Sequence, residues 1–435
     1  KSKFGAHGPF YVFFLGSLSK LTGWDYATPI FFNMAFIALG FILFAWFSKL
    51  ENRQIVLAGL AMSFFPPLLQ YIPTAMQEST HQMAAMIFAL LFGFAILQQE
   101  KMSRRHKLAA VLFTLAASLI RPSWALLFIP LFVLFFPKNL KGQISGLALS
   151  LLSILLMGIF TGMLITPGNN TITQAAEQFG ISFRSGLVHI YRTVANNFNL
   201  FLRFSSPQQL IFRLEYTAIL LLSIGITVFY WLKNSQKPDE KRWNNINLRV
   251  SLVILLILLP IIIWSFTLYF MKNDFRFIAP YVLLITFLLI FYKKEKYAII
   301  FILVNLMVFP TFSRQFSNPV SNNFIYSEQQ INATRRIFQN TIQYQPNQTN
   351  SWCNTILVPI TRYDYRIALI PPGIGISYVL DNNGIDRISF PVKSKYLLLT
   401  PQQKKEIEQK YWDDLKPLAE LPDSSLFLNQ AANCP

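Results

Sequence analysis

Long apolar stretches separated by short polar segments recur along the chain as far as Phe312. Their lengths approach the roughly 20 residues that a helix needs to cross the hydrocarbon core of a bilayer. Open sheets are excluded there, because their edge groups find no hydrogen-bond partners in lipid. The pattern therefore predicts about ten transmembrane helices. They cover Ala27–Phe47, Ile55–Ile72, Met83–Leu97, Leu108–Ile120, Pro122–Phe136, Ile144–Ile165, Tyr216–Leu232, Val250–Phe270, Phe277–Tyr292 and Tyr297–Phe312.

The polar segments between these stretches differ in charge. One alternate set carries 16 lysines and arginines, from Lys49 to Lys296, and the other set carries seven, from Arg121 to Arg276. The positive-inside rule places the more basic set in the cytoplasm. The segments around Glu78, Arg121 and Asp274, and everything after Phe312, are then expected on the exterior.

The apolar run Leu108–Phe136 admits two interpretations. As one span it would bury Arg121 near the middle of the membrane, at about 2.5–3.5 kcal/mol, and it would reverse the side of every later loop. As two short helices it places Arg121-Pro122 in an exterior turn, where proline suits the first turn of the second helix. The second interpretation agrees with the charge distribution.

The chain after the last apolar stretch has a different composition. Residues 313–435 carry 12 basic and 10 acidic residues among short apolar runs. We expect a small α/β exoplasmic domain, with a helix over Lys404–Trp412 and a strand over Leu426–Leu428. The predicted division is therefore a membrane domain, 1–312, and a C-terminal domain, 313–435. Both cysteines, Cys353 and Cys434, lie in the latter, and their spacing leaves open a disulfide or two free thiols.

Composition narrows the class of protein further. Hydrophobic residues make up 53% of the chain, which excludes a disordered protein. The net charge of +18 suggests a nucleic-acid partner at first sight. Most of that charge falls in the predicted cytoplasmic loops, so it indicates topology and we expect no nucleic-acid partner.

Polar residues that could take part in binding or catalysis collect on the predicted exterior side. Arginines there can clamp a phosphate in a bidentate way, and a nearby carboxylate can accept a proton. Each residue also has a structural alternative, such as a favourable helix-dipole charge for Glu78 or a headgroup anchor for Arg121. Glu78 and His81 share a helix face, but we assign no metal site and leave metal need open. The candidates are His7, Glu78, His81, Arg121, Lys272, Asp274 and Arg276.

These segments resemble the polytopic GT-C glycosyltransferases, and more narrowly the bacterial enzymes related to protein mannosyltransferases and aminoarabinose transferases. The similarity covers Gly5 to Phe312. It rests on the order of several short motifs and on their common position on the exterior side. The motifs are His7-Gly8-Pro9-Phe10-Tyr11, Glu78-Ser79, Leu119-Ile120-Arg121-Pro122 and Phe275-Arg276-Phe277-Ile278-Ala279-Pro280.

The resemblance implies transfer of a sugar from a polyprenyl-phosphate donor in the membrane to an exoplasmic acceptor. It implies catalytic roles for Glu78 and His7, and a bacterial inner-membrane protein with its C-terminal domain outside the cytoplasm. It assigns substrate binding to Arg121 and Arg276. The other polar residues on the exterior side, Lys272, Asp274 and His81, are predicted to bind substrate beside them. The family's general base lies in a segment upstream of Lys1, so we expect a chain whose start, with the first span, has been lost.

Two other classes of function remain as alternatives. A polytopic transporter or lipid flippase usually carries ionisable residues near the middle of the membrane. The predicted spans are nearly free of charge, and Glu215 falls near the end of one. A membrane scaffold that displays the C-terminal domain is the third possibility.

Overall fold

The structure of the chain is a computed structural model. It describes residues 14, 16–18, 20–21, 28–72, 77–98, 102–137, 139–164, 171–203, 207–233, 245–268, 277–321, 328–342, 353, 355–360, 366–371, 374–380, 394–405, 415–421, 424–430 and 432. The chain divides into two compact units, the described residues up to Phe312 forming the first and those from Ser313 the second.

The first unit is all helical, which confirms the predicted membrane bundle. Its helices are α1 (Thr28–Ser48), α2 (Asn52–Ser63), α3 (Pro66–Leu69), α4 (Glu78–Gln98), α5 (Arg104–Ile120), α6 (Phe128–Phe135), α7 (Leu140–Leu164), α8 (Thr171–Ile181), α9 (Phe183–Leu202), α10 (Pro207–Lys233), α11 (Ile246–Leu268), α12 (Ala279–Phe291) and α13 (Glu295–Ser321), the residues of α13 after Phe312 being assigned to the second unit. Among the described residues six helices, α1, α4, α7, α10, α11 and α13, are long and apolar enough to cross a membrane.

The other predicted spans are shorter helices, and proline explains two of the breaks. The stretch Ile55–Ile72 divides into α2 and α3 because Pro66 begins a new helix after an extended Phe65. The run Leu108–Phe136 divides as predicted. Helix α5 ends at Ile120, Arg121 is extended, and Pro122 opens a 3-10 helix (Pro122–Leu127) that leads into α6.

Helices α4 and α12 form the centre of the bundle. Nearly every side chain of α12 is buried, whereas α7 and α10 expose rows of leucine and isoleucine, as lipid-facing helices do. The two central helices approach closely at Gly93, where a Cβ atom would lie 2.9 Å from the ring of Phe291. A larger residue at position 93 would therefore require the Phe291 side chain to shift.

The basic loops meet at one end of the bundle, which we call the basic end. Side chains there join loops that are far apart in sequence. The contacts are Gln54 Nε2 to the Ile290 carbonyl (2.7 Å), Tyr292 Oη to the Gly93 carbonyl (2.7 Å), Arg249 Nη1 to the Ile96 carbonyl (2.8 Å), Arg53 Nε to Glu295 Oε2 (2.9 Å), and an exposed ion pair between Glu51 and Lys293. The shared end is what the alternating charge pattern predicts.

The second unit contains α14 (Glu328–Thr341) and a five-stranded mixed sheet. The strands are β1 (Thr355–Ile360), β2 (Gly375–Leu380), β3 (Tyr396–Leu399), β4 (Leu415–Leu421) and β5 (Ser424–Asn429), in the order β2-β1-β3-β5-β4. Strands β2, β1 and β3 run parallel, and β5 pairs antiparallel with β3 and β4. This confirms the α/β prediction, and the predicted strand Leu426–Leu428 lies within β5.

A polar core joins the carboxyl ends of β1 and β3, because Arg366 and Gln403 both donate to the Pro359 carbonyl of β1. Arg366 is 1% exposed and donates to the Leu398 carbonyl at 3.3 Å and to Gln403 Oε1 at 3.1 Å. Of the predicted helix Lys404–Trp412, residues 404–405 are helical and the remainder lies outside the described residues. Cys353 is disulfide-bonded, while Cys434, the second of the two cysteines in the chain, lies outside the described residues. Of the two alternatives that the sequence leaves open, a disulfide or a free thiol, Cys353 therefore forms the disulfide.

Candidate functional site

The first turn of α4 carries a run of polar side chains that the bundle buries almost completely. Gln77, Glu78, Ser79, Thr80, His81 and Gln82 are each 4% exposed or less. Burying polar groups among apolar helices costs free energy unless they are partnered, so chance packing is a poor explanation for six in a row. The start of the helix also favours a negative charge, which suits Glu78.

Glu78 forms an ion pair with Arg121 across 43 positions of sequence. The distance from Arg121 Nη2 to Glu78 Oε1 is 3.3 Å, and the side chains are 12% and 2% exposed. The extended backbone of Arg121 between α5 and the 3-10 helix gives this side chain its direction. Glu78 and Arg121, which the sequence indicates as separate candidate site residues, are therefore in direct contact.

His81 lies one turn further along α4 and is fully buried. Trp124 Nε1 donates a hydrogen bond to His81 Nδ1 at 3.0 Å. Because the indole nitrogen can only donate, Nδ1 accepts, and a neutral His81 carries its proton on Nε2. His81 thus presents a donor, which suits a phosphate or a hydroxyl. No group of three metal-ligating side chains occurs in the part of the chain that the structure describes.

The beginning of α12 completes the arrangement. Tyr281 Oη donates to Ser123 Oγ at 2.9 Å, and the Tyr281 ring lies 4.6 Å from that of Trp124. Phe277, the first described residue after the predicted Lys272–Arg276 segment, lies 6.5 Å from the Tyr281 ring. Three separate elements therefore converge: the start of α4, the turn after α5 and the start of α12. We call this convergence the candidate site.

A comparison with protein families bears on this half of the bundle. Residues 7–168 match the model of the Alg9-like mannosyltransferase family. This range contains Glu78, His81, Arg121 and Trp124, and the match confirms the predicted resemblance to glycosyltransferases and the predicted class of enzyme. The later part of the bundle and the C-terminal domain lie outside the matched range.

Two further comparisons were made with whole proteins. No curated protein matches the chain by sequence. The crystal structure of ArnT from Cupriavidus metallidurans bound to undecaprenyl phosphate aligns with 99% of this chain and 89% of its own, at 11% identity and a TM-score of 0.42.

The candidate residues divide into two groups. Glu78, His81 and Arg121 come together in the candidate site, inside the range that matches the Alg9-like family. The remaining candidates, His7, Lys272, Asp274 and Arg276, lie outside the described residues, and their roles stay predictions.

Sequence reasoning missed Trp124 and Tyr281, and it assigned no role to Ser123 in the Arg121-Pro122-Ser123 turn. All three occur in apolar segments, where aromatic residues and serine usually serve packing. The only sequence signal was position, since Ser123 and Trp124 follow the Arg121-Pro122 turn and Tyr281 follows Pro280. Their role as a layer beneath Glu78 and His81 becomes visible through the long-range contacts alone.

Glu215 lies near the end of a span, as predicted. It follows the start of the candidate span Leu210–Lys233 by five positions and is 9% exposed. Asn305 Nδ2 donates to Glu215 Oε1 at 2.6 Å. Ionisable residues inside membrane spans are expensive and usually paired in this way.

Proposed function

We propose that the chain is a membrane glycosyltransferase that moves a sugar from a polyprenyl-phosphate donor to an exoplasmic acceptor at the candidate site. The observation that carries the proposal is the buried Glu78–Arg121 pair, with the His81 donor one helical turn away. The match of residues 7–168 to the Alg9-like mannosyltransferase family supports the reaction class.

Arg121 is the proposed phosphate-binding residue. When the bond between the sugar and the phosphate breaks, negative charge develops on the departing polyprenyl phosphate. A guanidinium has five N–H donors, so Arg121 can hold the Glu78 carboxylate and a phosphate at the same time. In a site that excludes water, such a fixed cation stabilises the transition state more than it would in solution.

Glu78 is the proposed organiser of the site. Its carboxylate fixes the guanidinium of Arg121 through the 3.3 Å contact, so that the cation is in place before the donor arrives. His81, whose Nδ1 accepts a hydrogen bond from Trp124, carries the proton of the neutral ring on Nε2. In this proposal Arg276, Lys272 and Asp274 contribute further phosphate and sugar contacts, and His7 contributes to catalysis.

The exterior location of the site is part of the proposal. The basic end collects the lysine- and arginine-rich loops, and the candidate site is built from the intervening polar segments. The disulfide at Cys353 supports an oxidising compartment for the C-terminal domain, since such bonds are rare in the cytosol. We therefore propose an exoplasmic C-terminal domain and an exoplasmic acceptor.

A transfer assay tests the site assignment. The protein in liposomes receives radiolabelled polyprenyl-phosphate mannose, chosen from the family description, and a cell-envelope extract as acceptor. Glu78→Gln keeps the shape and removes the charge that orients Arg121. We expect it to lower transfer at least about tenfold, or about 1.4 kcal/mol of transition-state stabilisation. Glu177→Gln, a change at an exposed carboxylate of α8, serves as the matched control.

Unchanged elution and thermal unfolding of the Glu78→Gln protein would show that folding is intact. Wild-type transfer by that variant would refute the role of Glu78. If the protein moved labelled lipid between leaflets without transferring sugar, the transporter or lipid flippase alternative would replace the enzyme. Donors with other sugars are tested in the same assay before an absence of transfer is interpreted.

A further inference from the structure

A cavity of about 660 Å³ lies within the first unit, separate from the candidate site. Helices α10, α11, α12 and α13 form its walls. Along α10 it extends from Ile211 to Tyr230, a separation of 19 positions, or about 28 Å at 1.5 Å per residue. The cavity therefore follows most of the thickness of a bilayer's hydrocarbon core, which is about 30 Å.

The wall of the cavity is apolar over most of its length. Leucine, isoleucine, valine and phenylalanine side chains line it, and Leu222, Phe229 and Ile300 are exposed. The hydroxyl groups of Ser223 and Thr286, which also line the cavity, donate hydrogen bonds to backbone carbonyls of their own helices. The middle of the cavity suits a hydrocarbon chain and offers no site for a sugar.

The two ends of the cavity differ in charge. Glu215, held by Asn305, lies at one end, and the other end opens at the basic end of the bundle. There Asn247 Nδ2 donates to Tyr230 Oη at 3.1 Å, and the half-buried Lys294 lines the mouth beside Tyr297. A phosphate group is complementary to the second end, where Lys294 contributes a positive charge to the lining.

Lys294 and its neighbour Lys293 have different surroundings. Lys293 is exposed, forms an ion pair with Glu51, and does not line the cavity. Lys294 makes no ion pair with any described residue, and its side chain lies at the mouth. Basic pockets between transmembrane helices on the cytoplasmic side are typical binding places for anionic lipid headgroups.

We propose that this cavity binds an anionic phospholipid from the leaflet at the basic end. One acyl chain occupies the apolar channel between α10 and α13, and the phosphate contacts Lys294 at the mouth. The proposal does not depend on the sugar-transfer reaction. It assigns the protein a second lipid site, on the opposite side of the bundle from the candidate site.

Native mass spectrometry of the delipidated full chain in detergent tests the headgroup. Phosphatidylglycerol and phosphatidylcholine with identical acyl chains are compared. We expect phosphatidylglycerol to bind more tightly, and Lys294→Gln to reduce that preference about fivefold, which is the contribution of one basic residue near a lipid surface. Lys293→Gln removes the same charge one residue away and should leave the preference unchanged.

A second pair of variants tests the chain-binding channel. Ala218 lines the cavity and has an exposed side chain, so Ala218→Phe fills the channel without overpacking the core. It should lower the retention of both lipids at least fivefold. Leu221→Phe adds an aromatic ring on the same helix outside the cavity and should change neither lipid.

Three results would overturn the proposal. If the Lys293 and Lys294 variants lost the preference for phosphatidylglycerol equally, the preference would come from the general surface charge and not from Lys294. If Ala218→Phe retained both lipids as the wild type does, the lipids would not bind in the cavity. Displacement of phosphatidylglycerol by an equal concentration of polyprenyl phosphate would reassign the cavity to the tail of the donor.

Discussion

The two ends of the helical bundle use charged residues in opposite ways. At the basic end the charges are numerous and mostly exposed, and the Glu51–Lys293 pair has side chains that are 61% and 64% exposed. At the candidate site the charges are few and buried, and the Glu78–Arg121 pair is 2% and 12% exposed. A carboxylate and a cation therefore pair in water at one end, while at the other end they pair in a buried place that could serve chemistry.

The physical reason for the difference is the surrounding medium. Exposed pairs gain little, because water and salt screen them and two long side chains lose freedom. Buried pairs interact strongly but have lost hydration, so removing one partner leaves an uncompensated charge. The number of charges in a loop thus indicates its side of the membrane, and the burial of a charge indicates a functional site.

The largest expected effect comes from removing the cation of the buried pair. Arg121→Met leaves the Glu78 carboxylate buried without its ion-pair partner. We expect the free energy of unfolding in mixed detergent micelles to fall by about 3–5 kcal/mol, the range for a broken buried pair. Lys293→Met removes a cation of similar length at the basic end and should cause no measurable change.

The double variant sharpens this comparison. Replacing Glu78 by Gln in the Arg121→Met protein removes the stranded charge and should restore part of the lost stability. Equal destabilisation by Arg121→Met and Lys293→Met would contradict the distinction between the two ends.

The sequence was sufficient to predict the framework of this comparison. Charge alternation assigned Lys49–Arg53 and Lys293–Lys296 to one side, and proline chemistry located the turn at Arg121. These features depend on local pattern, so they can be recognised without tertiary structure. Glu78, His81 and Arg121 stood out for a related reason, since polar residues at the ends of apolar runs are conspicuous.

The remaining features depend on contacts between distant segments. Trp124 lies among apolar residues, and only its 3.0 Å hydrogen bond to His81 separates it from an ordinary core residue. Asn305 is 90 positions from Glu215, and no periodicity connects the two. The helix lengths also departed from prediction, because apolar composition does not show where a proline such as Pro66 divides a run.

An intermediate effect is expected from the hydrogen bond beneath the ion pair. Trp124→Phe retains an aromatic ring but leaves buried His81 Nδ1 without its donor. We expect a loss of about 1–3 kcal/mol in unfolding free energy, the cost of an unsatisfied buried group. Phe113→Leu, at a residue that packs on Phe88 as Trp124 does, is a control for ring packing alone.

The transfer assay adds a readout that packing would not change. Without Trp124, His81 can carry its proton on either ring nitrogen, so transfer should fall in Trp124→Phe while Phe113→Leu leaves it unaltered. Wild-type transfer by Trp124→Phe would limit this hydrogen bond to a structural role.

The smallest effect is expected at the basic end. The hydrogen bond from Lys293 lowers the pKa of Glu51, and the same contact raises the pKa of Lys293. A depressed carboxyl pKa adds stability above the ordinary Glu pKa, and that stability is lost as pH falls through the folded value. A raised lysine pKa adds stability that is lost at alkaline pH, above the ordinary Lys pKa. Between these limits, from about pH 6 to 9, stability should be flat.

Glu51→Gln tests this expectation against the buried pair. Both side chains are exposed, so solvent and salt screen the interaction and the variant should unfold like the wild type in that pH range. Added salt should likewise leave the difference between the two proteins unchanged. A clear destabilisation by Glu51→Gln, abolished by salt, would show that the exposed pair helps to hold the α1–α2 and α12–α13 loops together. The basic end would then need a structural role in addition to its topological one.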